Sequence, residues 1–307
     1  MRDPRLDPGI AAMLQRLDDE GRLLGRLPVE QERVSYRTLC LELSGAPPAG
    51  VDARDLTVAD RRARLYVPAG ETAGPAPCLL FFHGGGGCIG DIEAYDTSCR
   101  LLAAASGARV LSVDYRLAPE NPASASFDDA EAATRWAFAH ADELGLDPQR
   151  LAVGGDSQGG LIATTTAQRC RDLTLAFQLL IYPGVGFDPA TAAPVLEGYF
   201  LDMTAIGTFT TQLQLGGGRE LGFLMPFGKD QTGAAPAYIA TAGFDPLAGG
   251  AAPYAEQLRA AGVPVVVEDF PTLVHGFLTM AAASPVAADA VRALAHALRD
   301  GLTGPRT

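Results

Sequence analysis

The sequence predicts an α/β domain with a mainly parallel central sheet flanked by helices, and three observations point to it. From Cys78 onward, short apolar runs alternate with helical patterns, the βαβ series that closes into a parallel sheet. The run Cys78-Leu79-Leu80-Phe81-Phe82 is hydrophobic without interruption, as a strand covered on both faces must be. Finally, Gly154-Gly155-Asp156-Ser157-Gln158-Gly159-Gly160 sits between the apolar Leu151-Ala152-Val153 and the helical pattern beginning Leu161-Ile162-Ala163-Thr164, which places a serine on a tight strand-to-helix turn.

In chain order, Ile10, Met13, Leu14 and Leu17 carry the i, i+3, i+4, i+7 spacing of an amphipathic helix over Pro8 to Leu24, outside the main sheet. Extended segments are expected around Arg37 to Leu43 and Arg62 to Val67, separated by the Pro47-Pro48 turn. After the Cys78 to Phe82 strand come a helix at Asp96 to Ser106, a strand at Arg109 to Val113 and a helix at Phe127 to Leu144. A strand at Leu151 to Val153, a helix at Gln158 to Arg171 and a strand at Ala176 to Ile181 continue the series. Between Gly184 and Pro236 the alternation stops, and Gly-rich sequence carrying Leu196, Tyr199, Phe200, Met203, Phe209 and Leu213 reads as an inserted cap. The sheet resumes at Ala237 to Thr241 and Val263 to Val267, with helices at Gly249 to Ala261 and Pro285 to Asp300. No repeat or low-complexity linker divides the chain, so residues 1–307 are expected to form one domain, with a cap drawn from about 1–45 and an insertion at about 185–232.

Composition narrows the function classes. With 48% hydrophobic and 20% charged residues, and no apolar run near the roughly 18 residues of a spanning helix, the chain reads as a soluble globular protein with no membrane span. The start Met1-Arg2-Asp3-Pro4-Arg5-Leu6-Asp7 alternates charges and lacks the apolar stretch of a signal peptide, so a cytoplasmic location is expected. Five cysteines without C-x-x-C spacing read as reduced thiols and indicate neither disulfides nor a metal site. A formal net charge of -12 argues against nucleic acid as a partner and for a neutral small molecule.

A serine hydroxyl is a weak nucleophile that needs an imidazole to take its proton, and the imidazole needs a carboxylate to fix its tautomer. Of the four histidines, only His275 and His296 follow Ser157 in the chain order nucleophile, acid, base. His296 lies mid-helix, whereas His275 lies after the last strand in Leu273-Val274-His275-Gly276-Phe277 and is the candidate base. Asp245, at the carboxyl end of a strand in Gly243-Phe244-Asp245-Pro246-Leu247, is the candidate acid; Asp269 is its rival. The run His83-Gly84-Gly85-Gly86-Gly87 follows the first buried strand, and such glycines let backbone N–H groups approach a developing oxyanion. Gly84 and Gly85 are the expected donors, with the main-chain N–H of Gln158 as the third; His83 and Gly86 are expected to shape the loop.

These residues resemble the bacterial hormone-sensitive-lipase-like (family IV) esterases of the α/β-hydrolase superfamily. The resemblance rests on His83-Gly84-Gly85-Gly86, Tyr115-Arg116-Leu117-Ala118-Pro119-Glu120, Gly155-Asp156-Ser157-Gln158-Gly159-Gly160, Asp245-Pro246-Leu247 and His275-Gly276-Phe277, five motifs in order over about two hundred residues. It implies an α/β-hydrolase fold with a helical cap, carboxylesterase activity on short to medium acyl esters, no cofactor and frequently a homodimer. The chain departs from the family pattern where alanine commonly follows the nucleophile and Gln158 stands here. It departs again where an aromatic residue commonly follows the oxyanion glycines and Gly87-Cys88 stand here, and where Ala248-Gly249-Gly250 replaces a charged segment after the acid. The first two changes alter the pocket wall.

Three other readings compete. Gly85-Gly86-Gly87-Cys88-Ile89-Gly90 satisfies a dinucleotide-binding pattern, with Asp114 at the end of the next strand, but Asp91 and Glu93 would face the pyrophosphate. A catalytically silent small-molecule-binding relative of the same fold is a second alternative, against which the intact serine, aspartate and histidine argue. Amide or lactone hydrolysis would use the same machinery. Because His275 must be neutral to accept a proton, activity is expected to fall on acidification.

Overall fold

The computed structural model describes residues 2–70, 74–185, 197–217, 226 and 228–304. Its centre is an eight-stranded sheet built from β1 (Val51–Val58), β2 (Arg61–Pro68), β3 (Ala76–Phe82), β4 (Arg109–Val113), β5 (Leu146–Asp156), β6 (Phe177–Ile181), β7 (Ala237–Phe244) and β8 (Val265–Val274), in the order β1-β2-β4-β3-β5-β6-β7-β8. β2 pairs antiparallel with both β1 and β4, and every other neighbouring pair is parallel.

The pleat of β3 explains its unbroken hydrophobicity. Leu79 and Phe81 point into a core closed by α3 (Asp96–Ser106) and α9 (Pro285–Thr303), with the amino-terminal helices α1 (Pro8–Asp19) and α2 (Val29–Ser44) packed beyond. Cys78, Leu80 and Phe82 point into a second core closed by α4 (Ser124–Ala139), α5 (Ala141–Leu144), α6 (Gln158–Arg169) and α8 (Ala251–Ala260). Each face therefore needs an apolar residue at alternate positions, and together they need one at every position.

The expected extended segment at Arg37 to Leu43 is instead the second half of α2. Tyr36, Leu39, Cys40 and Leu43 are buried at helical spacing while Leu41 stands 46% exposed, so burial follows the 3.6-residue period and not the two-residue one. Strand β1 went unanticipated because only its end residues, Val51 and Val58, are buried. The expected helix from Phe127 to Leu144 breaks at His140, and the strand expected at Val263 to Val267 begins at Val265 and runs on to Val274.

Beyond the carboxyl ends of the parallel strands lie α1, α2 and α7 (Met203–Leu215), the last formed within the segment that interrupts the βα series. Asp202 caps α7 by accepting from the Ala205 N–H at 3.0 Å, and its fully buried carboxylate takes both Nη1 (2.9 Å) and Nη2 (2.5 Å) of Arg26. Thr208 adds a hydrogen bond to the Gly25 carbonyl at 3.0 Å, so the amino-terminal segment and the insertion are stapled together. Residues 186–196, with Leu196, and 218–225 and 227 of the expected insertion lie outside the described residues.

Candidate active site

Ser157 ends β5 and precedes α6 with φ 53° and ψ -118°, a strained conformation for a residue carrying a Cβ. The turn is tight because α6 starts against β3: a Cβ on Gly155 would stand 2.2 Å from the Phe82 carbonyl oxygen, and one on Gly159 would stand 1.9 Å from it. Both flanking glycines are thus required by contact as well as by the turn, and the serine is lifted to the floor of a cleft.

His275 follows directly on β8 and Asp245 directly on β7, neighbouring parallel strands whose carboxyl ends open on the same cleft. His275 Nε2 lies 2.8 Å from Ser157 Oγ, and its Nδ1 lies 2.8 Å from Asp245 Oδ2. The second carboxylate oxygen of Asp245 accepts the Leu247 N–H at 2.8 Å, which holds the group in the plane it needs to receive the imidazole. All three side chains are buried. The rival Asp269 is exposed on β8 and accepts a hydrogen bond from Thr241 Oγ1 at 2.9 Å, while His296 is exposed on α9.

The glycine loop does not sit as the sequence suggested. Gly84, expected as an oxyanion donor, already donates its N–H to Asp156 Oδ1 at 2.7 Å and does not line the cleft. Gly85 and Gly86 do line it, beside Ser157 and Gln158, and among the described residues neither of their N–H groups has a hydrogen-bond partner. Gly86, expected only to shape the loop, is therefore part of the cleft wall. His83 stays out of the cleft: its ring stacks on Tyr115 at 4.3 Å, Nδ1 contacts the Gly84 carbonyl at 2.7 Å, and Tyr115 OH donates to the His83 carbonyl at 2.6 Å. Complete burial drives its imidazole down to about 4, so it is neutral and serves as a wedge behind the loop. The dinucleotide pattern is not realised: the Cys88 and Ile89 N–H groups fold back onto the Gly85 carbonyl, and the next helix begins only at Asp96.

Sequence reasoning passed over Asp156. This carboxylate is buried and joins three segments: it accepts from the Gly84 N–H, from Tyr95 OH at 3.0 Å and from Tyr182 OH at 3.4 Å. Tyr182 in turn accepts the Leu278 N–H at 3.2 Å and places its ring 4.7 Å from that of His275, while Tyr36 OH lies 2.8 Å from Tyr95 OH. Burial raises the Asp156 carboxyl to about 6 despite these donors. An acid directly after the uncharged run Leu151-Ala152-Val153-Gly154-Gly155 was the available signal, since a buried carboxylate must find donors.

Among the described residues no group of three or more His, Cys, Asp or Glu side chains is placed to hold a metal ion, and no helix is long and apolar enough to cross a membrane.

Residues 79–279 match a family model described as the alpha/beta hydrolase fold. The esterase LipI of Mycobacterium tuberculosis is 40% identical, covering 97% of this chain and 91% of that protein. An ethyl acetate hydrolase of Pseudomonas putida is 34% identical over 90% of this chain and 92% of its own length. The crystal structure of a thermostable esterase from Pseudomonas putida ECU1011 superposes with a TM-score of 0.90 at 28% identity, covering 99% of this chain and all of that one.

Proposed function

Because the chain belongs to the bacterial hormone-sensitive-lipase-like branch of the α/β-hydrolase family and is a carboxylic ester hydrolase, we propose that it works through an acyl-enzyme on Ser157, with His275 as base and Asp245 as the carboxylate that orients it. The observation that carries this reading is the unbroken chain Ser157 Oγ, His275, Asp245, with 2.8 Å at both joints.

Ser157 Oγ attacks the ester carbonyl as its proton passes to His275 Nε2, and Asp245 stabilises the resulting imidazolium through Nδ1. The tetrahedral oxyanion is held by main-chain N–H groups of Gly85, Gly86 and Gln158. The last is the first residue of α6, whose N–H has no acceptor inside the helix. Collapse hands the proton from His275 to the leaving alcohol, and a water molecule repeats the sequence on the acyl-enzyme. No step requires a cofactor.

Segments 1–45 and 185–232 act as a cap over Ser157. This is supported by Leu24 and Tyr36 from the first and Phe200, Ile206 and Phe209 from the second, which all line the cleft. Their apolar side chains favour short to medium acyl esters. The charge of -12 and five free thiols fit a cytoplasmic protein acting on a neutral ester, without nucleic acid; a homodimer is what the family resemblance implies. Hydrolysis of a chromogenic series from acetyl to dodecanoyl, run with Ser157→Ala beside the native protein, tests the reading. Short esters should turn over only with Ser157 present, and a phosphonate should add its mass to the peptide holding Ser157. Undiminished turnover by Ser157→Ala would refute it.

A further inference from the structure

Among the described residues, the wall of the cleft contains one partly buried polar side chain that the ester mechanism leaves idle and that has no hydrogen-bond partner. Tyr36 OH is engaged by Tyr95, Asp156 by Gly84 and Tyr95, and Ser157 by His275. Thr210, on α7, is open to solvent. The carboxamide of Gln158 is half-buried, and among the described residues it makes no hydrogen bond. Its side chain lies along Gly87, with Cγ and Nε2 both 3.8 Å from where a Cβ on Gly87 would stand, and Leu213 Cδ2 approaches the same point to 3.1 Å. The absent side chain at Gly87 leaves the room that the amide occupies. Apolar side chains of Ile89, Phe200, Ile206, Phe209 and Leu213 line the same cleft.

A primary amide offers two donors and two acceptor lone pairs. In the open cleft water satisfies them. An alkyl ester that fills the cleft displaces this water and offers no replacement, so the amide is left unpaired against a hydrocarbon. An ester carrying a hydroxyl, carbonyl or amide group at the matching place restores the bond. Sites with a buried hydrogen-bonding group discriminate strongly against isosteres that lack the partner. Because Gln158 follows the nucleophile directly and its side chain lies against Gly87, next to the oxyanion glycines, the matching group belongs within a few bonds of the scissile carbonyl. We propose that the Gln158 side chain is a specificity-determining residue, and that the preferred substrates are hydroxy-, oxo- or amido-substituted esters in place of plain alkyl esters. This rests on the assignment of Ser157 as nucleophile.

The test uses two isosteric pairs that differ in one hydroxyl: methyl 3-hydroxybutanoate against methyl 3-methylbutanoate, and 2-hydroxyethyl butanoate against propyl butanoate. The readout is the ratio of kcat/KM within each pair, which cancels any change in the Gln158 main-chain donor because both members share it. The native ratio should exceed that of Gln158→Met by about tenfold in at least one pair, the worth of one hydrogen bond that would otherwise be left unmade. Gln158→Leu, which also fits the first turn of α6, should give the same collapse. Ratios in both variants within twofold of native, in both pairs, would overturn the proposal while leaving the esterase reading intact. Turnover of these esters by Ser157→Ala would overturn both, and the two failures are told apart in one panel.

Discussion

Replacing Asp156 by asparagine keeps the shape of the group that ties the glycine loop to the histidine loop and removes its charge. In the folded protein the carboxyl is raised from an ordinary 3.8 to about 6, chiefly by burial, with the Tyr95, Gly84 and Tyr182 donors offsetting only part of the effect. A native value above the unfolded one means that the folded state binds the proton more tightly. Stability is therefore highest below pH 3.8, falls as pH rises from there through 6, and is level above. At about 1.36 kcal/mol for each tenfold in proton affinity the full penalty is about 3 kcal/mol, of which about 2 kcal/mol accrues between pH 4 and pH 8. Asparagine does not titrate, so the stability of Asp156→Asn minus that of the native protein should grow by about 2 kcal/mol over this interval. In a chain of this length that is roughly 4 °C in thermal midpoint. Urea or thermal unfolding of both proteins at half-unit steps of pH measures it. A difference that stays constant from pH 4 to pH 8 would show that Asp156 carries no such penalty and would refute the account of a strained carboxylate at the centre of the site.

Three further outcomes follow from the same geometry. Asp245→Asn should lower kcat by about 10⁴, as expected when the imidazole loses its orienting carboxylate, while Asp269→Asn should leave it within about twofold; the reverse pattern would move the acid to Asp269. Arg26→Ala leaves the buried Asp202 with only the Ala205 and Gly198 N–H groups, and should cost about 3 kcal/mol, read as earlier urea unfolding and faster proteolysis within the α7 segment. Gly159→Ala, whose methyl would meet the Phe82 carbonyl at 1.9 Å, should give no folded protein, whereas Gly184→Ala, with 3.7 Å to its nearest neighbour, should fold with the native circular dichroism and midpoint.

How much of this was legible in the sequence depends on whether a residue's role is set by its neighbours in the chain or by distant ones. The Ser157 turn was legible because glycine on both sides of a serine, between an apolar strand and a helix, has few other uses. Asp245 and His275 were reached because the acid and base must follow the nucleophile at strand ends, and in the structure each directly follows a strand, with His275 Nδ1 2.8 Å from Asp245 Oδ2. Leu39, Leu41 and Leu43 satisfy a strand's alternation as well as Tyr36, Leu39, Cys40 and Leu43 satisfy a helix's period. Only the tertiary surroundings, which bury Cys40 and expose Leu41, choose between them.

The glycine loop after β3 shows the same dependence at closer quarters. Gly84, Gly85 and Gly86 are identical in sequence, and nothing local distinguishes the one whose N–H is free from the one whose N–H is taken. The choice is made by Asp156, which stands 72 positions further along the chain and captures Gly84. With Gly84 held, Gly85 turns at φ 108° and Gly86 at φ 61°, conformations that favour glycine, and these two line the cleft. A buried carboxylate that weakens the fold at neutral pH is thus also the group that sets which glycine amides are left without a partner at the cleft. Its retention next to the nucleophile makes physical sense as a stability penalty exchanged for register of the glycine loop.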